Sequence, residues 1–326
     1  MALKTRIRRL GAAALAAGAL LAGAAAMAQD NRGAVRMVVP FGAGTTTDTV
    51  GRIVGEGLGR NLQQTLVVDN RAGAGGSTGT ELVARSAADG RTLVMGTVGT
   101  HAINAALFSK LPYDPLRDFA PIAFVGYTPT LLVVAADSPI KSLKDLTEAA
   151  ARPAGVSFAS AGNGTSGHLA GELLAQRLGG RMLHVPYKEG AMALTSVMAS
   201  QVDFMFYHPA AVMPQIKAGK LRALGSSGAL RSAAASQVPT LMEQGIADFD
   251  LVAWFMLYAP AATPAAALAQ LRTAAAAALA QPELMTRLRE QGVEPGQMRA
   301  EDLQPFNQKE LVKWAGLVKR SGAQVD

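Results

Sequence analysis

The chain has 326 residues, no cysteine, and 31 lysines and arginines against 24 acidic residues, a formal net charge of +7. Without cysteine there are no disulfides, thiolate metal sites or cysteine nucleophiles. Four of the basic residues, Lys4, Arg6, Arg8 and Arg9, lie in the first 28 positions; without them the charge is +3, too small and too scattered for a nucleic-acid face.

Those first residues read as an export signal. A basic start precedes the alanine-rich apolar run Leu10–Gly23 and the small-residue cleavage pattern Ala26-Met27-Ala28. Residues 1–28 are the expected signal peptide, cleaved near Ala28/Gln29. A membrane anchor is the alternative, because the run is long for a signal. Arg8-Arg9 hints at a twin-arginine route, but the residues after it fit poorly. No later stretch has ~18 uninterrupted apolar residues, so a soluble mature protein is expected. About 300 remaining residues suffice for two domains, each with a core.

The mature chain opens on a strand, Val35 to Val39, that Pro40 ends. Gly42 and Gly44 then permit a tight turn. Thr45 to Asp48 supply the N-cap and first turn of a helix carrying Val50, Ile53, Val54 and Leu58 on one face. Backbone N–H groups at such a helix start make an anion site, and no lysine or arginine lies within the turn. A strand at Thr65–Asp69, a glycine-rich loop over 70–79, a helix at Thr80–Ala87 and a strand at Thr92–Gly96 follow, with Thr97–Thr100 closing near Phe41. Further strands are expected at Ile122–Val125 and Leu131–Ala135, and a helix from Lys141.

The opening unit then recurs: strand Val156–Ser160, turn Ala161-Gly162-Asn163-Gly164-Thr165-Ser166-Gly167-His168, helix. The two turns are expected to face each other and share one ligand. Strands at Met182–Val185, Val202–Tyr207, Leu221–Ser226 and Trp254–Ala259, with a helix at Met192–Ala199, complete the alternation, and the chain is helical beyond Pro264. Strands alternating with helices indicate parallel sheets covered on both faces.

Several motifs carry a competing chemistry. Gly75-Gly76-Ser77-Thr78-Gly79 matches the nucleophile elbow of a serine hydrolase, which needs a later acid and histidine. The histidines are His101, His168, His184 and His208, none in the last hundred residues where that fold usually keeps its own, so a tight turn is the better reading of Ser77. Gly162 to Gly167 matches G-x-G-x-x-G, with Glu189 in place of a ribose ligand, but export argues against a nicotinamide cofactor. His168 is either structural or a ligand contact, with catalysis the remote third reading; no second residue has metal spacing to it. Asp48 either touches a polar ligand group or serves the helix dipole and reaches Arg52. Phe41, Tyr187, Tyr207 and His208 could form a partly aromatic cleft wall, which points to an aromatic or dicarboxylic ligand.

The ordered set Val39-Pro40-Phe41, Asp69-Asn70-Arg71-Ala72-Gly73-Ala74-Gly75-Gly76, Leu111-Pro112-Tyr113-Asp114, Asp118-Phe119-Ala120-Pro121, Ser160 to Thr165, His168 to Glu172 and His184-Val185-Pro186-Tyr187-Lys188 resembles the Bug family, the periplasmic solute receptors of tripartite tricarboxylate transporters. The chain departs from that family's usual pattern at Gly44-Thr45, typically two glycines, and at Glu189-Gly190-Ala191, often a glycine and a proline. The resemblance implies a two-lobed α/β periplasmic-binding-protein-like fold, each lobe a mostly parallel sheet flanked by helices. Residues 29–130 with 221–258 would form lobe 1, and 131–220 with 259–326 lobe 2. It implies a periplasmic protein that holds a small carboxylate in the interlobe cleft and delivers it to membrane permease subunits.

The expected contacts are Phe41, Gly42, Ala43, Gly44, Thr45, Thr46 and Thr47 in the first turn and Ser160, Ala161, Asn163, Gly164, Thr165 and Ser166 in the second. Asp48, Thr97, His168, Tyr187, Tyr207 and His208 complete the expected site. No catalytic residue, cofactor, metal or nucleic acid is expected, and the chain is expected to be a monomer. The alternative is a secreted serine hydrolase using Ser77.

Overall fold

The structure is a computed structural model that describes residues 33–323; the expected signal and its cleavage site lie outside the described residues. In chain order the strands are β1 (Val35–Val39), β2 (Leu66–Asn70), β3 (Thr92–Thr97), β4 (Phe119–Pro129), β5 (Leu131–Ala135), β6 (Val156–Ser160), β7 (Met182–Pro186), β8 (Phe204–Tyr207), β9 (Leu221–Ser226), β10 (Val252–Pro260) and β11 (Glu294–Pro295). The helices are α1 (Thr46–Leu62), α2 (Ser77–Ala84), α3 (Asn104–Leu107), α4 (Leu143–Ala150), α5 (Ser166–Leu178), α6 (Gly190–Met198), α7 (Pro209–Lys217), α8 (Ala265–Leu279), α9 (Pro282–Glu290) and α10 (Ala300–Ser321). A π-helical turn, Gly99–Ile103, leads into α3.

Strand β1 shows why the first sheet is covered on both sides. Val35, Met37 and Val39 enter one core while Val38 enters another, and all four are buried. A strand buried on both faces belongs inside a sheet that helices sandwich. That sheet runs β11-β4-β10-β3-β1-β2, and a second runs β7-β6-β8-β5-β9.

Both sheets are mixed. β1 pairs in parallel with β2 and β3, while β10 runs antiparallel to β3 and β4. β6 pairs in parallel with β7 and β8, while β5 runs antiparallel to β8 and β9. The series β2-β1-β3-β10-β4 and β7-β6-β8-β5-β9 therefore share one order and one set of strand senses. The parallel members are the ones read from the strand–helix alternation. β5 and β10 are the strands by which the chain passes between the sheets, and an antiparallel neighbour needs no crossover helix.

The two passages are tied together. The chain goes from β4 to β5 through Thr130 and returns to β10 through Ser227 and Leu251. Ser227 Oγ accepts from Thr130 N (2.9 Å) and Thr130 Oγ1 (3.0 Å) and donates to Leu251 O (2.6 Å). Thr130 and Ser227 are buried, so this is a dry, fully bonded junction.

Strand pairing and packing shift the expected boundaries in two places. Leu221–Ser226 pairs with β5 in the second sheet, not with the first lobe. Leu271, Ala274, Ala275 and Ala278 of α8 and Leu284 and Leu288 of α9 share a core with Val50, Ile53, Val54 and Leu58 of α1, so these helices cover the first sheet. The sequence reading missed this because an alanine-rich apolar face does not name its partner. α10 is fastened to β10: Glu310 Oε2 accepts from Trp254 Nε1 (2.8 Å) and Trp314 Nε1 (2.9 Å), and Tyr258 donates its hydroxyl proton to Asn307 Oδ1 (2.9 Å).

Candidate ligand-binding site

One turn is built twice. After β1, Gly44 sits at φ +79° and donates its N–H to Asp48 Oδ2 (2.9 Å). After β6, Gly164 sits at φ +78° and donates its N–H to His168 Nδ1 (3.2 Å). Glycine adopts that backbone without a Cβ penalty. Thr45 and Thr165 follow as N-caps. Each donates its hydroxyl proton to the carbonyl of Gly42 or Gly162, at 2.8 Å in both cases, and accepts the amide of Asp48 or His168.

This capping leaves particular donors over. The amides of Asp48 and His168 are taken by the threonines, and those of Thr49 and Leu169 bond to the carbonyls of Thr45 and Thr165. The first two amides of each helix, Thr46 and Thr47 of α1 and Ser166 and Gly167 of α5, have no acceptor within their helix. All four residues line one chamber. The Thr46 hydroxyl in the same wall is buried and has no partner.

The inner chamber offers about 50 Å³, room for a few water-sized groups. Thr97, Val98, Gly99, Ala253 and Phe255 of the first sheet unit and Ala161, Phe206, Tyr207 and His208 of the second close it. Its lining contains no lysine, arginine, aspartate or glutamate. Burial pushes the His208 imidazole down to about 4 and the Tyr207 hydroxyl up to about 12, so both are neutral at pH 7. His208 Nε2 lies 3.3 Å from Ser166 Oγ. The wall is thus uncharged, with aromatic sides and a floor of helix-start amides. Such a floor stabilises a negative charge through unpaired N–H groups and the dipoles of two helix starts.

A larger chamber, about 470 Å³, adjoins it. Phe41, Thr45 and Ala161 line both. Gly42, the glycine-rich loop Ala72 to Gly76, Phe108, Gly162, Asn163 and Tyr187 to Gly190 line only the outer one.

Of the expected contacts, Phe41, Thr45, Thr46, Thr47, Thr97, Ala161, Thr165, Ser166, Tyr207 and His208 line the inner chamber, and Gly42, Asn163 and Tyr187 the outer. Ala43, Gly44, Asp48, Ser160, Gly164 and His168 line neither. Asp48 points back from the ligand side. Its carboxylate holds Gly44 N–H, Asn70 Nδ2 (2.9 Å) and the Arg52 guanidinium (3.0 Å). Burial pushes its pKa up, but the bonds from Arg52, Gly44 and Asn70 outweigh that and hold the carboxyl below its ordinary value.

Ser160 and His168 also serve the turn from behind. Ser160 Oγ accepts the Gly162 amide (3.2 Å) and lies 2.7 Å from His184 Nε2, and His184 stacks on His168 with ring centroids 4.1 Å apart. His168, Glu172 and His184 bring ligating atoms within 4.8 Å of one another. The Gly164 amide occupies His168 Nδ1, so the ring proton sits on Nε2, 3.7 Å from Glu172, where a metal would need a lone pair.

Ser77 is not placed as the nucleophile of the alternative hydrolase. Its Oγ accepts from Asn104 Nδ2 (3.1 Å), and among the described residues no imidazole or carboxylate bonds to it. The expected contacts do not include Val98, Gly99, Gly167, Phe206, Ala253 and Phe255, which also line the inner chamber. Val98 and Gly99 follow the C-terminal end of a parallel strand, where open α/β sheets place their ligands, so that signal was available. Ala253 and Phe255 share one face of β10, but alternation alone does not say which face meets the cleft.

The model of the tripartite tricarboxylate transporter family receptor matches residues 50–323. The chain belongs to this family. Its fold is similar to that of the periplasmic binding protein BugD, at a TM-score of 0.84 and 32% identity, over 90% of this chain and 99% of that one. It is similar to an R. palustris protein solved with adipate, at 0.85 and 33%, over 91% and 100%. It is also similar to MatC from Rhodopseudomonas palustris, solved with bound malate, at 0.82 and 32%, over 88% and 99%. As a receptor of this family the chain is a solute-binding protein, with two mixed sheets flanked by helices.

Proposed function

We propose that this receptor works in the periplasm, after cleavage near Ala28/Gln29, as a monomer that captures a small organic carboxylate and hands it to the membrane permease of a tripartite transporter. The observation that carries the reading is the pair of matched turns, whose free amides at Thr46, Thr47, Ser166 and Gly167 open into one uncharged chamber. The carboxylates seen with the adipate and malate proteins support it. The two sheet units act as lobes that close on the ligand, with Thr130, Ser227 and Leu251 at the crossing. Phe41, Phe206, Tyr207 and Phe255 favour a flat or extended apolar body behind the carboxylate.

Hydrogen bonds to a charged group contribute roughly 1.5–3 kcal/mol each. Three or four of them, less association and ordering costs, give about −8 kcal/mol, a micromolar Kd. Ser166 Oγ lies 3.3 Å from His208 Nε2, but burial holds that imidazole down to about 4, a weak base, and no carboxylate lines the chamber to orient it, so the reading is binding without turnover. A carboxylate panel screened by thermal shift tests this. A ligand at ~100 times its Kd adds ~2.7 kcal/mol of stability. A panel without any stabilising carboxylate, or one consumed by the protein, contradicts the proposal.

A further inference from the structure

The outer chamber is walled by one acidic side chain that has no ion-pair partner among the described residues. Glu189 is the N-cap residue of α6, yet its side chain makes no capping bond. Among the described residues no ion pair joins it to Lys188, the other charged residue of that chamber, or to any other cation. Its carboxyl instead stands across the mouth against the first turn: the Glu189 carboxyl carbon lies 3.4 Å, and its two oxygens 3.5 and 3.6 Å, from the place a Cβ on Gly42 would take. Glu189 belongs to the second sheet unit and Gly42 to the first, so the carboxylate bridges the entrance of the cleft.

The inner chamber is too small for more than a carboxylate and its first few carbons. A longer ligand must pass Phe41, which lines both chambers, and end in the outer one. There it meets Glu189. The positive end of the α6 dipole, which would otherwise attract a second ligand carboxylate, already has this charge beside it. Opposed charges attract and like charges repel there, an effect that water screens because Glu189 is exposed.

We propose that Glu189 sets specificity for the far end of the ligand, which carries a hydrogen-bond donor, an amide or ammonium group, and not a second carboxylate. This rests on the reading that the near carboxylate sits on the paired amides. Lys188, exposed like Glu189 at the same rim, is the charged residue there that would favour the opposite choice.

Four probes of one length separate the possibilities by calorimetry: adipate, its monoamide, 6-aminohexanoate and the diamide. The wild-type chain should bind the monoamide and 6-aminohexanoate about tenfold more tightly than adipate. Glu189→Gln should bring adipate to within about threefold of the monoamide, weaken 6-aminohexanoate, and leave the monoamide unchanged. Adipate binding tightest to the wild type, or affinity ratios unmoved by Glu189→Gln, overturns the role of Glu189. Adipate lost on Lys188→Ala with Glu189→Gln silent does the same and names the lysine instead. The diamide binding as well as the monoamide overturns the carboxylate reading itself, and binding by none of the four overturns both.

Discussion

Asp48 and His168 accept the same bond in two copies of one turn, from the Gly44 amide at 2.9 Å and from the Gly164 amide at 3.2 Å. Their partners one helical turn on are opposite in charge, Arg52 behind Asp48 and Glu172 behind His168. Both side chains thus face away from the chamber and hold the glycine that lets the helix start point into it. The ligand sees the consequence of these residues, not the residues themselves.

Asp48→Asn should lower stability at neutral pH by about 1–3 kcal/mol, because three donors lose a charged acceptor. The sign with pH follows from its lowered folded pKa. The contribution is complete above the unfolded value, ordinarily 3.8, and is lost as pH falls through the lower folded value. Urea unfolding of both proteins at pH 7 and pH 3 checks this. The gap between them should shrink in acid, and a gap of constant size speaks against the assignment.

His101 is fully buried, stacks on Tyr258 with centroids 3.9 Å apart, and has no partner at Nε2. Burial pushes its pKa down to about 3. The unfolded chain binds a proton near 6.5 that the folded chain refuses, so stability is full above 6.5 and falls as pH drops toward 3. His101→Phe keeps the stack and removes the titration. Between pH 7 and 5 the wild type should lose about 2 kcal/mol more than the variant. Equal losses would show that His101 does not contribute to the acid limb.

The turn after β3 and the turn after β6 meet through glycines. A Cβ on Gly99 would stand 2.9 Å from Gly164 O, across the cleft. Gly99 is helical, so Gly99→Ala is locally favourable, and its penalty falls on the approach of the two turns and on the chamber that Gly99 lines. Ligand affinity should drop about tenfold, 1.4 kcal/mol, with an unchanged or higher Tm in the absence of ligand. An unaltered Kd would mean the two turns need not approach this closely.

Much of this was legible in the sequence. Thr45 and Thr165 were readable as caps because a small hydroxyl residue at a helix start after a glycine has one good use. The strands of both sheets except β11 are legible as apolar runs between turn residues. Two features were not legible. Asp48 and His168 sit at a helix start, where the residue type reveals capping chemistry but not the direction of the side chain. Phe255 arrives from a strand that crosses between the sheets, a pairing set by tertiary packing and invisible to local periodicity. The start of α2 at Ser77, ahead of the expected Thr80, follows from Gly76, whose φ of +89° ends the glycine loop early.

Ser227→Ala tests the crossing. The substitution leaves the buried Thr130 amide without its acceptor, which costs about 1–3 kcal/mol. Ser227→Thr keeps the hydroxyl but adds a methyl to a dry junction. Chemical denaturation should rank wild type above both, and a neutral Ser227→Ala would show that the junction tolerates an unpaired amide.

The central claim is that backbone amides, and no charged side chain, hold the ligand carboxylate. Calorimetric titration of the tightest carboxylate from the panel and of its primary amide, against the wild type and Lys188→Ala, tests it most directly. Lys188 lines only the outer chamber. The account predicts that Lys188→Ala changes the Kd by less than about threefold, while the amide, whose NH₂ faces N–H donors, binds at least about a hundredfold more weakly. Loss of binding on Lys188→Ala, with the amide still bound, would contradict it and place a buried ion pair where the paired turns are said to act.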